Sequence, residues 1–338
     1  MTPVITDVNV LSRLVVVQLD TRIWSARKKL TPLDLGGADL PPEDLASLGS
    51  KRICNPEDLK SFSTLKARAV TLLEKHGIRF LSGFAVPEDK LDDINVELEA
   101  IQLEFDRSKE DFLQRYDQSV QEWISRHPQW SGIIANSTVS ESHVRSKLGF
   151  RWQMFRVITP KHGAPDSMPG SLCEDVGNLG AALFDETAKA AADTWKNCYM
   201  GKTEITRKAL SPLKSIYEKL MGLTFVEPRV APVAELIATS FTYVPKRGPI
   251  NGGVLLILQG LVSLLRNPAE LLEHAQKMLE GKAQSWNLLE GLINNPNLDP
   301  QSTGLHEELQ DDAQGEYDGE PVFAAPASFP VIENQGLW

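Results

Sequence analysis

The sequence predicts a mainly helical α+β protein with a small mixed lobe, a long antiparallel helical hairpin and an acidic tail. Three observations predict this class: coiled-coil spacing of apolar residues after Pro87, strand-like runs near Leu11 and Phe150, and negative charge gathered at the C-terminal end. At 338 residues and 42% hydrophobic composition, the chain can bury a sizeable core. The predicted division is a lobe at 1–86 completed by 223–290, the hairpin at 87–222, and the tail at 291–338.

The N-terminal lobe is predicted to contain two strands and one helix. Leu11–Trp24 has a β-branched run with partial alternation, which favours a strand. Asn55 and Pro56 are typical of a helix start, because Asn caps the first turn and Pro fits its first position. Gly77 is expected to end that helix in a left-handed conformation. The run Ile78–Phe84 then predicts a second, short strand.

The strongest periodic signal follows Pro87 and predicts an amphipathic helix that continues to about His127. Apolar residues recur there at steps of three and four, the spacing of a coiled-coil seam. The seam comprises Leu91, Ile94, Leu98, Ile101, Phe105 and Phe112. A helix of this extent would be about 60 Å long. Because such a stripe needs a cover, we expect these residues to contact either the second arm of the hairpin or another chain.

The second arm of the hairpin is predicted at Leu172–Ala192, where apolar and then small residues repeat at helical spacing. Phe150–Thr159 alternates in polarity and predicts a strand, either at the turn of the hairpin or returning to the sheet. Further along, the sequence predicts helices at Ser211–Gly222, Val254–Leu265 and Asn267–Gly281, and a fourth strand at Thr239–Val244. Val254–Leu265 is too short to cross a bilayer and is interpreted as a buried helix.

The negative charge is confined to one end of the chain. The whole sequence has 45 acidic against 35 basic side chains, whereas the segment from Ala283 onward has ten acidic side chains and no Lys or Arg. After about Asn294 the composition predicts disorder, yet Phe323, Phe329 and Trp338 are apolar anchors that a merely solubilising tail would not need. These three residues are therefore predicted to contact a protein partner.

A neutral body with an acidic tail disfavours nucleic acid as a partner, because phosphate contacts need a basic surface. A membrane partner is disfavoured because no apolar stretch is long enough. Two local basic clusters remain, which could contact phosphates or the acidic tail instead. They are Arg22 with Arg27, Lys28 and Lys29, and Arg145 with Lys147, Arg151 and Arg156.

The sequence contains no recognisable catalytic, metal-binding or cofactor-binding motif. Three scattered cysteines and the absence of a secretory pattern near the N-terminus predict a reducing, cytoplasmic location. The six histidines lie far apart in the sequence. Gly201, Lys202 and Thr203 match the end of a phosphate-binding loop, but Lys196 stands where that loop needs another glycine. A bend or helix end at Gly201 is the preferred interpretation.

Two stretches, Leu48–Pro87 and Phe150–Val157, resemble a bacterial family known as a domain of unknown function, number 3150. The resemblance covers about residues 8–280, and the family offers no catalytic residues to transfer. Its members occur on plasmids, integrative elements and phages. Their genes commonly neighbour those for a MoxR-type AAA+ ATPase and a von Willebrand factor A protein. The resemblance therefore implies a role beside a remodelling ATPase.

Together these features predict a non-enzymatic coiled-coil assembly or adaptor protein that binds other proteins, among them that ATPase and the von Willebrand factor A protein, or further copies of itself. The seam and the missing catalytic motifs are the grounds for this hypothesis. A subunit of a self-assembling filament, tube or pore is the first alternative. An enzyme of unrecognised type is the second.

Overall fold

A four-stranded antiparallel sheet separates two layers of helices. The computed structural model describes residues 10–35, 49–158 and 170–294. Its strands are β1 (Leu14–Arg22), β2 (Arg27–Lys29), β3 (Ser50–Arg52), β4 (Ile78–Phe80), β5 (Gly83–Pro87), β6 (Gly149–Phe155), β7 (Glu204–Ile205) and β8 (Ile250–Asn251). The central sheet has the order β4, β5, β1, β6, and β2 pairs with β3 and β7 with β8.

Helices account for most of the other described residues, which confirms the mainly helical α+β class. They are α1 (Lys60–His76), α2 (Leu91–Gln114), α3 (Tyr116–Arg126), α4 (Ser131–Ala135), α5 (Glu141–Lys147), α6 (Gly170–Gly177), α7 (Leu179–Thr194), α8 (Ser211–Gly222), α9 (Val230–Thr242), α10 (Gly252–Leu265), α11 (Pro268–Leu279) and α12 (Ser285–Asn294). Asn55 caps the first turn, Pro56–Leu59, as its sequence predicts, by accepting a hydrogen bond from the Glu57 N–H.

Alternate side chains of β1 enter two different hydrophobic cores. Val17 packs into an N-terminal core between the sheet and helices α1 and α2. Leu14 and Val16 pack into a C-terminal core on the other face, formed with helices α6 to α12. Successive residues of a strand point to opposite faces, so one central strand can serve both layers. The continuous apolar run of β1 is thus explained by burial on both sides.

Aromatic rings hold the N-terminal core together. The rings of Phe62 in α1 and Phe105 in α2 have centroids 4.9 Å apart, and Phe105 lies 5.8 Å from Phe150 in β6. Phe112 contacts Phe62 at 6.1 Å. All four side chains are buried. One ring cluster therefore joins two helices to the edge of the sheet, at distances where aromatic pairs attract each other beyond their burial.

The C-terminal core is built around α10, whose apolar composition is explained by its burial. Leu258, Leu261 and Leu265 are fully buried in it, which confirms the prediction of a buried helix at Val254–Leu265. Across the described ranges, no single helix is long and apolar enough to cross a membrane. Helices α10 and α11 meet that test only as a pair, with a bend of 105° between them.

The predicted hairpin between the seam helix and Leu172–Ala192 is wrong. The seam of α2 packs instead on α1 and β6 in the N-terminal core. Leu179 and Leu183 of α7 lie in the C-terminal core, on the other face of the sheet, and α7 packs against α8 and α10. The physical reason is that α1 also has an apolar face and lies next to α2. The two helices bury their apolar faces against each other, so the seam needs no second arm from Leu172–Ala192.

The single long helix predicted to end near His127 is also wrong. It is interrupted at Arg115, which has φ −103° and ψ 4°, so that α2 ends at Gln114 and α3 starts at Tyr116. The interruption lets the Tyr116 ring contact Trp24 at 5.8 Å, and its hydroxyl donates to the Val139 carbonyl at 2.9 Å.

Two local predictions fail for identifiable reasons. Gly77 has φ −129° and ψ 177°, an extended rather than left-handed conformation. A Cβ atom there would lie 2.5 Å from Val86 Cγ1, so close packing, not backbone conformation, explains this glycine. Thr239–Val244 was expected to be a strand, but α9 continues to Thr242, because its preceding residues supply a buried apolar helix face. By contrast, Gly281 ends α11 with φ +68°.

Asp34 ties the β2–β3 ribbon to the neighbouring turn. Its carboxylate pairs with Lys51 and accepts hydrogen bonds from the backbone N–H and the hydroxyl of Thr31, both at 2.8 Å. These contacts, that from Lys51 foremost, lower the pKa of Asp34 from 3.8 to about 2.

Acid is therefore expected to remove the stabilisation that Asp34 provides. The contribution is complete above pH 3.8, where the carboxyl is ionised in both folded and unfolded chains, and is lost as the pH falls towards 2. We predict that wild type unfolds at a higher temperature than Asp34→Asn at pH 5, and that this gap closes near pH 2. A gap that stays constant over this range would contradict the assignment.

Candidate interaction site

The outer face of α2 presents exposed apolar residues directly opposite its buried seam. Val96 and Leu103 are 65% and 67% exposed, and Ala100 between them is exposed as well. At 3.6 residues per turn these three positions fall on one side of the helix. Val96 and Leu103 are one heptad apart, about 10.5 Å along the axis. We call Val96, Ala100 and Leu103 the outer α2 face.

The orientation of this face is fixed by polar contacts between α2 and strand β6. Asn95 Oδ1 accepts a hydrogen bond from the Trp152 indole at 3.2 Å, and Gln102 donates to the Phe150 carbonyl at 3.2 Å. Lys109 donates to the carbonyl of Leu148, the residue just before β6, at 2.9 Å. These bonds follow the edge of the sheet and hold α2 against rotation. The outer face therefore points to solvent because the opposite side of the helix is both buried and hydrogen-bonded.

A groove between α1 and α2 runs beside the outer α2 face. It has a volume of about 400 Å³ and is lined by Thr64, Ala67, Arg68, Thr71, Leu72, Lys75, Glu97 and Ile101. The short side chains on α1 leave the space open. Arg68 pairs with Glu104 through two hydrogen bonds, of 2.5 and 3.1 Å, across the same two helices. This pairing lowers the pKa of Glu104.

Acidic side chains flank the N-terminal part of the outer α2 face, and Arg107 is exposed one turn beyond Leu103. Asp92, Asp93 and Glu99 are exposed on the same half of the helix. An apolar centre flanked by carboxylates is complementary to an amphipathic helix whose own apolar stripe is flanked by Lys or Arg.

The sequence-predicted contact residues of the seam are internal. Ile94, Leu98, Ile101, Phe105 and Phe112 are at most 3% exposed, and Leu91 is half-buried. They are therefore covered within this chain, and the expectation that another chain covers them is corrected. Phe323, Phe329 and Trp338 lie outside the described residues, as does the predicted tail beyond Asn294, and their contacts stay predictions. The last described helix, α12, ends at Asn294, so the predicted start of the tail at residue 291 lies inside this helix.

The other chemistry considered from the sequence belongs to ordinary structural positions. Gly201 has φ +68° and follows the π-helical turn Trp195–Tyr199, as the preferred interpretation of a bend predicts. Burial raises the pKa of the Cys54 thiol to about 11, the opposite of what a nucleophilic thiol requires. Burial likewise lowers the pKa of His76. Over the part of the chain that the structure describes, there is no group of three or more His, Cys, Asp or Glu side chains that could hold a metal ion.

Sequence reasoning missed Val96 and Leu103, although one signal pointed to them. Each stands among acidic residues on the polar side of the helix, where isolated exposed apolar residues are common. Only their heptad spacing marks them as a pair, and that spacing is hidden by the stronger seam on the other side of the same helix.

Comparison with known proteins identifies the family. A family model described as Protein of unknown function (DUF3150) matches residues 11–267, which is more than half of the chain. No curated protein and no solved structure matches the sequence. The matched residues include the N-terminal core, most of the C-terminal core, the outer α2 face and the groove beside it. The chain belongs to the family of proteins of unknown function known as DUF3150.

Proposed function

We propose that this protein is a non-enzymatic adaptor that binds an amphipathic helix of a partner protein on the outer α2 face. The observation that supports the proposal most is the pair Val96 and Leu103, two large apolar side chains about two-thirds exposed on a helix held rigidly by its opposite side. A single exposed apolar residue is common on protein surfaces and needs no explanation. A pair at heptad spacing on a fixed helix is instead typical of a surface that binds a partner helix.

The geometry favours a helix as the bound element. The heptad spacing of the pair matches the repeat of a partner helix packed along α2. Small residues on α1, among them Ala67 and Thr71, permit that helix to approach the groove closely. The preorganised face has no ordering cost of its own, which favours affinity for an otherwise modest contact.

The charges oppose a parallel pairing of two copies through this face. Such a pairing would bring Asp92, Asp93 and Glu99 of each copy against one another, and like charges in contact oppose association. A partner helix with basic flanks has no such conflict. The MoxR-type AAA+ ATPase and the von Willebrand factor A protein suggested by the family resemblance are the partners we propose.

The double substitution Val96→Ser and Leu103→Ser tests this proposal. Burial of each apolar side chain contributes about 1.5–3 kcal/mol, so their joint loss is expected to weaken binding about 100-fold or more. Full-length protein should co-purify with the product of the ATPase gene or the von Willebrand factor A gene, whereas the double variant should not. Since both side chains are exposed, thermal unfolding should be unchanged.

Leu256→Ser with Leu279→Ser is the matched control. These leucines are 52% and 46% exposed on other helices, so their replacement removes similar apolar surface elsewhere and should leave partner capture intact. Equal capture by wild type and by the outer-face variant would contradict the proposal. Light scattering that showed a wild-type dimer converted to a monomer by the outer-face substitutions would replace the adaptor role with self-association.

A further inference from the structure

The β2–β3 ribbon concentrates positive charge in an arrangement that weakens the ribbon itself. Its register places Arg27 opposite Arg52 and Lys28 opposite Lys51. Like charges directly opposite each other on antiparallel strands are destabilising, and an isolated two-stranded ribbon is only marginally stable. Two such pairs occur in a ribbon of three residues a side. A local departure from stabilising rules of this kind is typical of a functional surface.

Most of this charge is not neutralised within the described part of the chain. Arg27, Lys28 and Arg52 are exposed, and none of them has a described carboxylate partner, whereas Lys51 is half-buried against Asp34. The second basic cluster found in the sequence differs in this respect. Its three arginines each pair with a carboxylate: Arg145 with Glu110 and Glu141, Arg151 with Asp20, and Arg156 with Glu88.

An aromatic cleft opens beside the basic ribbon. It has a volume of about 300 Å³ and is lined by Leu30, Lys51, Arg52, Trp123, His127, Trp130, Ile133 and Ile134. The Trp123 indole donates to the Arg52 carbonyl at 3.2 Å, which attaches the cleft to the ribbon. The rings of Trp123 and His127 are packed edge to face with centroids 4.4 Å apart. Trp130 stays 55% exposed, an unusual placement for a tryptophan that contributes only to packing.

We propose that this ribbon and cleft form a second interface, separate from the outer α2 face, which binds an extended acidic protein segment through an inserted aromatic side chain. Three unpaired cations supply the charge complementarity. The apolar walls of the cleft and the exposed ring of Trp130 supply the contact for the aromatic anchor. Carboxylates on either side of the anchor would then reach Arg27, Lys28 and Arg52.

The size of the charged surface favours an acidic peptide over nucleic acid. Nucleic-acid affinity rests on many phosphate contacts, and three free cations on an otherwise neutral body supply few of them. An acidic peptide needs only a few ion pairs, because the anchor in the apolar cleft contributes the remaining affinity. The stretch 306–323 of this same sequence, HEELQDDAQGEYDGEPVF, has the required chemistry and no basic residue other than its histidine, so it is a suitable probe.

Fluorescence anisotropy of the labelled 306–323 peptide with the full-length protein tests the proposal. We expect saturable binding that weakens as salt is raised, because exposed charges are screened. Lys28→Glu with Arg52→Glu, and separately Trp130→Ala, should each weaken binding at least tenfold. Lys189→Glu with Lys208→Glu, a charge reversal of the same size at two other exposed lysines, should leave it unchanged.

Probe variants separate the two parts of the interface. A peptide with its carboxylates replaced by amides, and one with Tyr317→Ala and Phe323→Ala, should both lose binding. Undiminished binding by the ribbon variant or by Trp130→Ala would overturn the proposal, and so would tighter binding of a 15-nucleotide oligothymidine than of the peptide. The Val96→Ser and Leu103→Ser variant should bind the peptide normally, so failure here is distinct from failure of the proposed adaptor role.

Discussion

Replacing Phe105 by alanine is expected to lower the free energy of unfolding by about 3–5 kcal/mol. The side chain is fully buried, and its ring contacts Phe62 and Phe150, so it links α1, α2 and β6 at one point. Its removal loses the free energy gained by burying the ring. It also leaves a cavity that could be filled only if three different elements moved. Urea unfolding followed by circular dichroism measures the change directly.

Two controls make this prediction specific. Phe105→Leu keeps most of the apolar volume and should cost about 1 kcal/mol. Leu103→Ala lies on the same helix but in solvent, and surface substitutions of this kind stay within about 0.5 kcal/mol. A loss below about 1 kcal/mol for the alanine variant at position 105 would be incompatible with the aromatic cluster described.

Gly83→Ala is expected to destabilise the protein by about 3 kcal/mol, through overpacking. An added Cβ would lie 2.6 Å from the carbonyl oxygen of Val17 and 3.1 Å from Val16 Cγ1. The carbonyl belongs to the central strand and cannot rotate away as a side chain could. Relief therefore requires β1 and β5 to separate. Thermal unfolding should show a large fall in midpoint temperature.

Gly132→Ala is expected to stabilise the protein, the opposite of the effect at position 83. This glycine lies within α4, and an added Cβ there meets no atom within 4 Å. Alanine loses less conformational entropy than glycine in a helix, so the variant should be more stable by about 0.5–1 kcal/mol. Equal effects at positions 83 and 132 would show that strand packing is not the reason for glycine at position 83.

The elements that the sequence predicts well are those whose signals are local. β1 lies within Leu11–Trp24, and β6 overlaps most of Phe150–Thr159 and returns to the sheet, because β-branched and alternating residues favour strands wherever they pair. The helix over Lys60–His76 follows from its apolar face and from the preceding turn, Pro56–Leu59, which Asn55 caps. Which helix covers the seam depends on contacts between residues that are far apart in the sequence. Periodicity shows that a stripe must be buried, but not by what.

The candidate interfaces show the same limit. The basic run Arg27–Lys29 is visible in the sequence, but its pairing with Lys51 and Arg52 depends on register across a connection outside the described residues. Trp130 gains its significance from the cleft that surrounds it. Val96 and Leu103 are distinguished from other surface residues only once the rotation of α2 is fixed by its contacts with β6. These features arise from tertiary packing, which cannot be read from local patterns in a single sequence.

The central sheet, shared by two cores, has a consequence for how the chain is made. The ribosome synthesises the sheet and both helices of the first core before it reaches Val176, the first core residue contributed by helices α6 to α12. The face of the sheet that carries Leu14, Val16, Ile78 and Phe80 is then covered in steps, first by α7, which packs on β4, and its cover stays incomplete at least until α10 ends at Leu265. At usual synthesis speeds this interval lasts roughly 5–20 s. Chaperone protection of nascent chains should therefore be strongest between these two lengths.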